Sequence, residues 1–168
     1  WKNRNKIRFN SNSDKNRWLT LELPKESENK KINEIIIYDI KRNILEHLKL
    51  IKNTYLKSPY YHDIVEIYKN VLEKIKTNSI TLSNLNYLFI IEICKYLNID
   101  NKIEFSSNIN QNNNSNKNSY TINIIKKLDG NSYLANNKSF EYLDIDLFKT
   151  NKIEIIKQNY ITTSSRTI

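Results

Sequence analysis

The chain has no methionine, one glycine (Gly130), one cysteine (Cys94), two prolines (Pro24 and Pro59) and two histidines (His47 and His62) among its 168 residues. Each scarcity excludes something. A single glycine rules out the phosphate-cradling G-x-x-x-x-G-K-[ST] and G-x-G-x-x-G loops and the G-x-S-x-G nucleophile elbow. A single cysteine rules out an intrachain disulfide and leaves no mark of an oxidising compartment. The histidines are not at a metal-ligand spacing and no second cysteine helps them. No run approaches the ~20 apolar residues of a membrane helix. The N-terminus lacks a signal-peptide pattern, so cytoplasm is the expected location. With no initiator represented and an abrupt start on Trp1, the chain is expected to be incomplete at its N-terminus.

What fills the sequence instead is Lys, Asn and Ile, an excess that A+T-rich codons produce without functional cause. Hydrophobic residues make up 39% and mean hydropathy is -0.66. That suffices for one domain spanning residues 1–168 with a real core. The net charge is +9, which points toward polyanionic partners. The arginines, however, are only Arg4, Arg8, Arg17, Arg42 and Arg166, and base readout and bidentate phosphate clamps favour Arg over Lys. Scattered lysine reads first as a solvated surface.

Along the chain, Lys2 to Phe9 alternates as an extended segment with Lys2, Arg4, Lys6 and Arg8 on one face. Trp18 to Leu23 is a strand ended by Pro24, and the β-branched Ile32–Asp39 stretch suits a central, doubly covered strand. Three helix-like segments follow, from Arg42 to Ile99. The first, to Leu56, carries Ile44, Leu48, Ile51 and Tyr55 at helical spacing. Ser58 and Pro59 are expected to cap and open the second, whose inward residues are Ile64, Ile67, Val71, Leu72 and Ile75. The third runs from Leu82 to Leu97, capped by Thr81 or Ser83, and its apolar residues wrap most of the circumference, so burial all round is expected, Cys94 included. Then come a short strand at 102–105, an Asn-rich flexible loop at 108–118, and a helix from Ser119 to Leu128 whose C-terminus places Gly130 in the left-handed position. A strand at 132–134, a helical turn or two at 140–148 and a last strand at 153–156 complete the chain. The expected fold is mixed α/β, with a partly parallel sheet and a central three-helix block.

Few residues bear chemistry. His47, beside the apolar stripe of the first helix, is the best single candidate for a general acid or base, because the ordinary imidazole pKa lies near neutrality; a structural role is the competing reading. His62 is expected to be exposed. Asp144-Ile145-Asp146 fits the D-x-D pattern with which nucleotide-sugar transferases hold a divalent metal, but Asp144 or Asp146 also suits an N-cap for the following Leu147-Phe148 turn, which is the preferred reading of so short a motif. Tyr55, Tyr60 and Tyr61 either stack a sugar or a base, or pack the corner between two helices.

The landmarks Trp1-Lys2-Asn3-Arg4-Asn5-Lys6-Ile7, Trp18-Leu19-Thr20, His47-Leu48, Tyr55 with Pro59-Tyr60-Tyr61, Leu85-Asn86, Leu97-Asn98-Ile99, Ser106-Ser107, Tyr133-Leu134, Tyr142-Leu143-Asp144 and Gln158-Asn159-Tyr160 together resemble, in order and spacing, the WbqC-like family of bacterial proteins found with O-antigen and surface-polysaccharide genes. The resemblance implies a cytoplasmic role on a sugar-nucleotide or glycan precursor, with glycine or another acyl group transferred to an amino sugar. It also implies candidate site residues: His47 and Asp144 in catalysis, and Asn3, Arg4, Asn5, Tyr60, Ser106, Ser107, Tyr142 and Gln158 in substrate binding. Arg4 would hold an anionic part of the substrate, His47 would move a proton and Asp144 would orient an amine or hydroxyl. The chain departs from the family in the segment before Tyr142-Leu143-Asp144, where Ala135 to Glu141 contains no glycine. Two other classes compete: a noncatalytic basic module that binds nucleic acid, and a metal-dependent nucleotide-sugar transferase using Asp144 and Asp146. Neither a cofactor nor an oligomeric state follows from these residues.

Overall fold

A computed structural model describes residues 4–9, 15–109 and 116–159. The fold is mixed α/β, 50% helical and 17% strand. It forms two compact units, Trp1–Asn101 and Lys102–Ile168.

The first unit opens with an antiparallel pair, β1 (Arg4–Arg8) and β2 (Asn16–Thr20), in which Lys6 lies opposite Trp18 and Asn5 opposite Leu19. Lys2 and Asn3 lie outside the described residues. The alternation is as expected: Arg4 and Lys6 share a face, and both cations sit over the Trp18 ring, at 4.5 and 5.1 Å from its centroid. Cation–π attraction therefore offsets part of the mutual repulsion of a strand charged on one side. After a 3-10 turn at Lys25–Ser27, β3 (Ile36–Tyr38) pairs antiparallel with β4 (Ser79–Thr81). The expected central strand is thus only three residues long and covered on one face. Ile37 is fully buried while Ile36 and Tyr38 are exposed, because the helices pack against a single side of the pair.

Helices α1 (Ile40–Tyr55), α2 (Tyr61–Lys74) and α3 (Leu82–Tyr96) form the central block. Their apolar stripes meet in one core containing Ile40, Ile44, Val71, Ile75, Leu82 and Leu85, with Ile35 and Ile37 closing it from the strand side. Burial of each such side chain is worth ~1.5–3 kcal/mol, which is what holds helices of weak intrinsic propensity in place. Thr81 caps α3 by accepting from the Asn84 amide at 3.3 Å. Two expectations need correction. Tyr60, not Ser58, is the N-terminal boundary of α2, with no side-chain cap, and the Tyr61 amide donates to the Ser58 carbonyl. And α3 is not buried all round: Ile90, Ile93, Tyr96 and Leu97 are exposed and Cys94 is only half-buried, because α2, β3 and β4 occupy just the Leu82–Leu85 side.

In the second unit, residues 102–105 form no strand; the chain turns directly into α4 (Ser106–Ile109). The segment expected as a flexible loop falls partly outside the described residues, and its ends are helical. Helix α5 (Lys117–Lys127) precedes β5 (Ser132–Ala135), which pairs in parallel with β6 (Glu154–Lys157) across the short helices α6 (Asn137–Phe140) and α7 (Ile145–Thr150). Ile122, Ile125, Phe148 and Ile153 make its core. Gly130 is not the left-handed residue. Asp129 is, with φ 54°, and the pair of bonds Gly130 N–H to Ile125 carbonyl and Asp129 N–H to Lys126 carbonyl is a Schellman motif. Asn98 and Lys152 close α3 and α7 in the same way, at φ 54° and 59°. A chain almost without glycine thus ends three helices on side-chain-bearing left-handed residues. Gly130 is needed for a close approach instead, since a Cβ there would lie 3.1 Å from Ile125 Cγ2 and 3.2 Å from its carbonyl oxygen.

Candidate functional site

One side of α1 is built to hold the N-terminal hairpin. Asn43, His47, Ile51, Thr54 and Tyr55 recur at helical spacing. Four of them bond the hairpin or the segment after it: Asn43 Oδ1 accepts from the Glu22 amide (3.4 Å), His47 Nε2 meets the Thr20 carbonyl (3.0 Å), Thr54 Oγ1 donates to the Arg8 carbonyl (3.4 Å), and the Tyr55 hydroxyl accepts from the Arg8 amide (3.1 Å). A carbonyl oxygen only accepts, so Nε2 carries the proton in the His47 bond. The other ring nitrogen, Nδ1, which bears the lone pair when the ring is neutral, has no hydrogen-bond partner among the described residues. The ring is further held edge-on against Tyr68, 6.5 Å between centroids. His47 is therefore both a structural anchor and an oriented imidazole with a fixed tautomer.

It lines an open cleft of about 540 Å³ whose walls include Trp18, Thr20, Glu22, Lys25, Arg42 and Glu46. Glu46 is engaged by Lys49 at 2.7 Å, a hydrogen bond that holds its carboxyl below the usual carboxylate range. Lys25 and Arg42 are cations on the cleft wall, and Arg4 stacks on Trp18 from the hairpin. Chemically this offers an imidazole, an indole surface and two cations, Lys25 and Arg42, set among four carboxylates, Glu22, Glu26, Asp39 and Glu46.

A second cleft, of about 390 Å³, is lined by Tyr55, Tyr60, Tyr61 and Tyr68 together with Asn5, Ser58 and aliphatic side chains. Leu19 points into it while its neighbours Trp18 and Thr20 line the His47 cleft, as strand alternation dictates. Burial pushes the Tyr68 phenol up to about 12.

Of the residues nominated from sequence, Arg4, Asn5, His47 and Tyr60 stand in the first unit: His47 in one cleft, Asn5 and Tyr60 in the other, Arg4 on Trp18. Asn3 lies outside the described residues. Ser106, Ser107, Tyr142, Asp144 and Gln158 stand in the second unit. Ser106 and Ser107 open α4 and are exposed. Tyr142 is exposed, and Asn118 clamps its turn by bonding the Tyr142 carbonyl and the Asp144 amide, each at 3.4 Å. Asp144 Oδ1 accepts from the Leu147 amide at 3.0 Å, so it caps α7. Asp146 follows within the helix, and among the described residues no three His, Cys, Asp or Glu side chains gather where a metal would sit. The Gln158 amide continues the β5–β6 pairing through the Ala135 carbonyl at 2.8 Å. His62 is exposed and packs edge-on against Tyr61.

Sequence reasoning missed Trp18 as a wall of the His47 cleft, Arg42 in the same cleft, and Tyr68 in the other. Tyr68 lies four residues after Ile64 and three before Val71, so helical spacing alone puts it on the packed face; only its hydroxyl distinguishes it from core.

The model of the WbqC-like protein family matches residues 1–165. The chain belongs to this family. No curated protein and no solved structure matches it. The match of this WbqC-like protein extends over residues of both units. No helix among the described residues is long and apolar enough to cross a membrane.

Proposed function

We propose that this WbqC-like protein acts in the assembly of surface-polysaccharide precursors, transferring an acyl or aminoacyl group to the amine of an amino sugar carried on a nucleotide. The observation that carries this reading is His47, held through Nε2–H by the Thr20 carbonyl so that in the neutral ring Nδ1 offers its lone pair beside an open cleft lined by both cations and carboxylates. In the step proposed, the neutral amine attacks the carbonyl carbon of an activated ester or thioester. A C–N bond forms, the C–O or C–S bond breaks, the amine proton passes to Nδ1 of His47, and the same proton is returned to the departing oxygen or sulfur. Lys25 and Arg42 are the cations that would face the diphosphate, among the cleft carboxylates Glu22, Glu26, Asp39 and Glu46, and Arg4 on Trp18 adds positive charge at the hairpin side.

The test is turnover of UDP-glucosamine with glycyl and short acyl thioesters, followed by mass spectrometry, for wild type, His47→Ala and His47→Gln. Glutamine restores a donor to the Thr20 carbonyl without supplying a base, so both variants are expected to lose roughly 10²–10⁴-fold in rate while His47→Gln melts near wild type. Turnover that survives in His47→Ala removes the assignment.

A further inference from the structure

We infer that the tyrosine-lined cleft of the first unit is a binding site for the base of a mononucleotide. Tyrosines at a helix–helix corner ordinarily pack that corner. Tyr60 does not: it is 66% exposed, it gives α2 no side-chain cap, and it stands at the edge of a cleft whose inner walls include the buried Leu19 and Ile51. An exposed ring beside an apolar recess is a stacking platform for a flat heterocycle.

The polar groups lining the cleft are few, as in a small-molecule site. The Tyr68 hydroxyl has no hydrogen-bond partner among the described residues, and its high phenol pKa keeps it a donor throughout the physiological range. Its ring cannot swing away, being held edge-on by Phe89 at 4.8 Å and by His47. Asn5 Oδ1 accepts from the Lys6 amide at 3.2 Å, which leaves its Nδ2 donors for a ligand, and the Ser58 hydroxyl is also unengaged among the described residues. An acyl chain would use none of these groups. The ring nitrogens and carbonyls of a nucleobase use all three.

Charge decides between a mononucleotide and a polymer. Lys6 is the one charged residue lining the cleft, and its ammonium is turned to the Trp18 ring on the other face of β1, so the cleft lacks the cationic groove that tracks single-stranded nucleic acid. About 390 Å³ likewise suits one base and little more. The site does not depend on acyl transfer, because occupancy is read without turnover.

The experiment is saturation-transfer NMR and titration calorimetry on the full chain with UMP, AMP, uridine and ribose 5-phosphate. UMP or AMP is expected to bind, with the strongest transfer at the base protons and no displacement by ribose 5-phosphate. Tyr60→Ala is expected to weaken binding ~10-fold or more, and Tyr60→Phe to leave it unchanged. Tyr68→Phe should weaken it several-fold, and Lys6→Ala, whose ammonium lies over Trp18 on the other face of the hairpin, should leave UMP and uridine binding alike unchanged. Because Tyr60 is largely exposed, its alanine variant should melt as wild type does. The inference is overturned if neither nucleotide binds at millimolar concentration, if ribose 5-phosphate displaces them, or if Tyr60→Ala binds like wild type. It is equally overturned if hexauridylate binds with steep salt dependence and UMP does not compete.

Discussion

Glu92 is the one buried carboxylate among the described residues, and its removal and the removal of its partner should have unequal costs. The side chain is 6% exposed on α3, and it is reached by Lys74 at the end of α2 and by Lys95 at 3.4 Å. Its cover is the lysine stems and the wall of an open cleft rather than the deep core, so its surroundings lie between the limits for exposed and fully buried pairs. Lys74→Met keeps the stem but leaves the carboxylate covered with only Lys95 beside it. Breaking a fully buried pair costs about 3–5 kcal/mol; with Lys95 remaining, about 2 kcal/mol is expected here. Glu92→Gln removes the buried charge itself and frees Lys74, already 37% exposed, to be hydrated, so its cost should be ~1 kcal/mol or less.

The pH dependence has a definite sign. The hydrogen bond from Lys74 holds the Glu92 carboxyl below its ordinary 4.5, against burial, which pushes the other way. A lowered carboxyl pKa contributes stability that is fully present above the unfolded value and is lost as pH falls through the folded one. The deficit of Lys74→Met should therefore be constant from pH 7 to about 5 and shrink below about 4.5. Urea unfolding followed by circular dichroism, with unchanged m-values, measures this. A Glu92→Gln cost equal to or above that of Lys74→Met, or a Lys74→Met deficit that persists at pH 3, would refute the reasoning.

Other variants probe the second unit. Gly130→Ala should destabilise by about 1–2 kcal/mol through the crowded contact with Ile125, whereas Asp129→Gly should be neutral or stabilising by up to ~1 kcal/mol, since it relieves a left-handed residue; thermal melts of the pair give opposite signs. Asp144→Ala should cost ~1 kcal/mol as a lost N-cap and Asp144→Asn almost nothing. A metal-ligand role predicts instead that Mn²⁺ raises the melting temperature of wild type but of neither variant.

The helical block was legible because its signal is periodicity: Ile44 and Ile51 on α1, and Ile67, Val71 and Ile75 on α2, are all buried as the spacing requires. Periodicity does not say how many neighbours an element has, so α3 read as buried all round and the Ile35–Ile37 run read as a doubly covered strand. Local chemistry predicted the caps at Thr81 and Asp144, where a side chain suited to capping precedes a helix. It failed at Gly130, because the left-handed position can be filled by Asp, Asn or Lys when the following amide closes the turn. The candidate site was half legible. His47 stood out as a titratable group on an apolar stripe, but its Thr20 partner, 27 residues away, and the Trp18 wall of its cleft depend on long-range packing that no local pattern encodes.

The proposed chemistry requires the His47 imidazole to hold a fixed tautomer and offer Nδ1 to a ligand. Long-range ¹H–¹⁵N correlation spectra of the histidine rings, recorded on the full chain at a pH where imidazole is neutral, read this directly. His47 should show a protonated Nε2 and a bare Nδ1, and UDP-glucosamine should shift Nδ1 while leaving Nε2 in place. A proton on Nδ1, or an Nδ1 resonance indifferent to saturating UDP-glucosamine, would contradict the account.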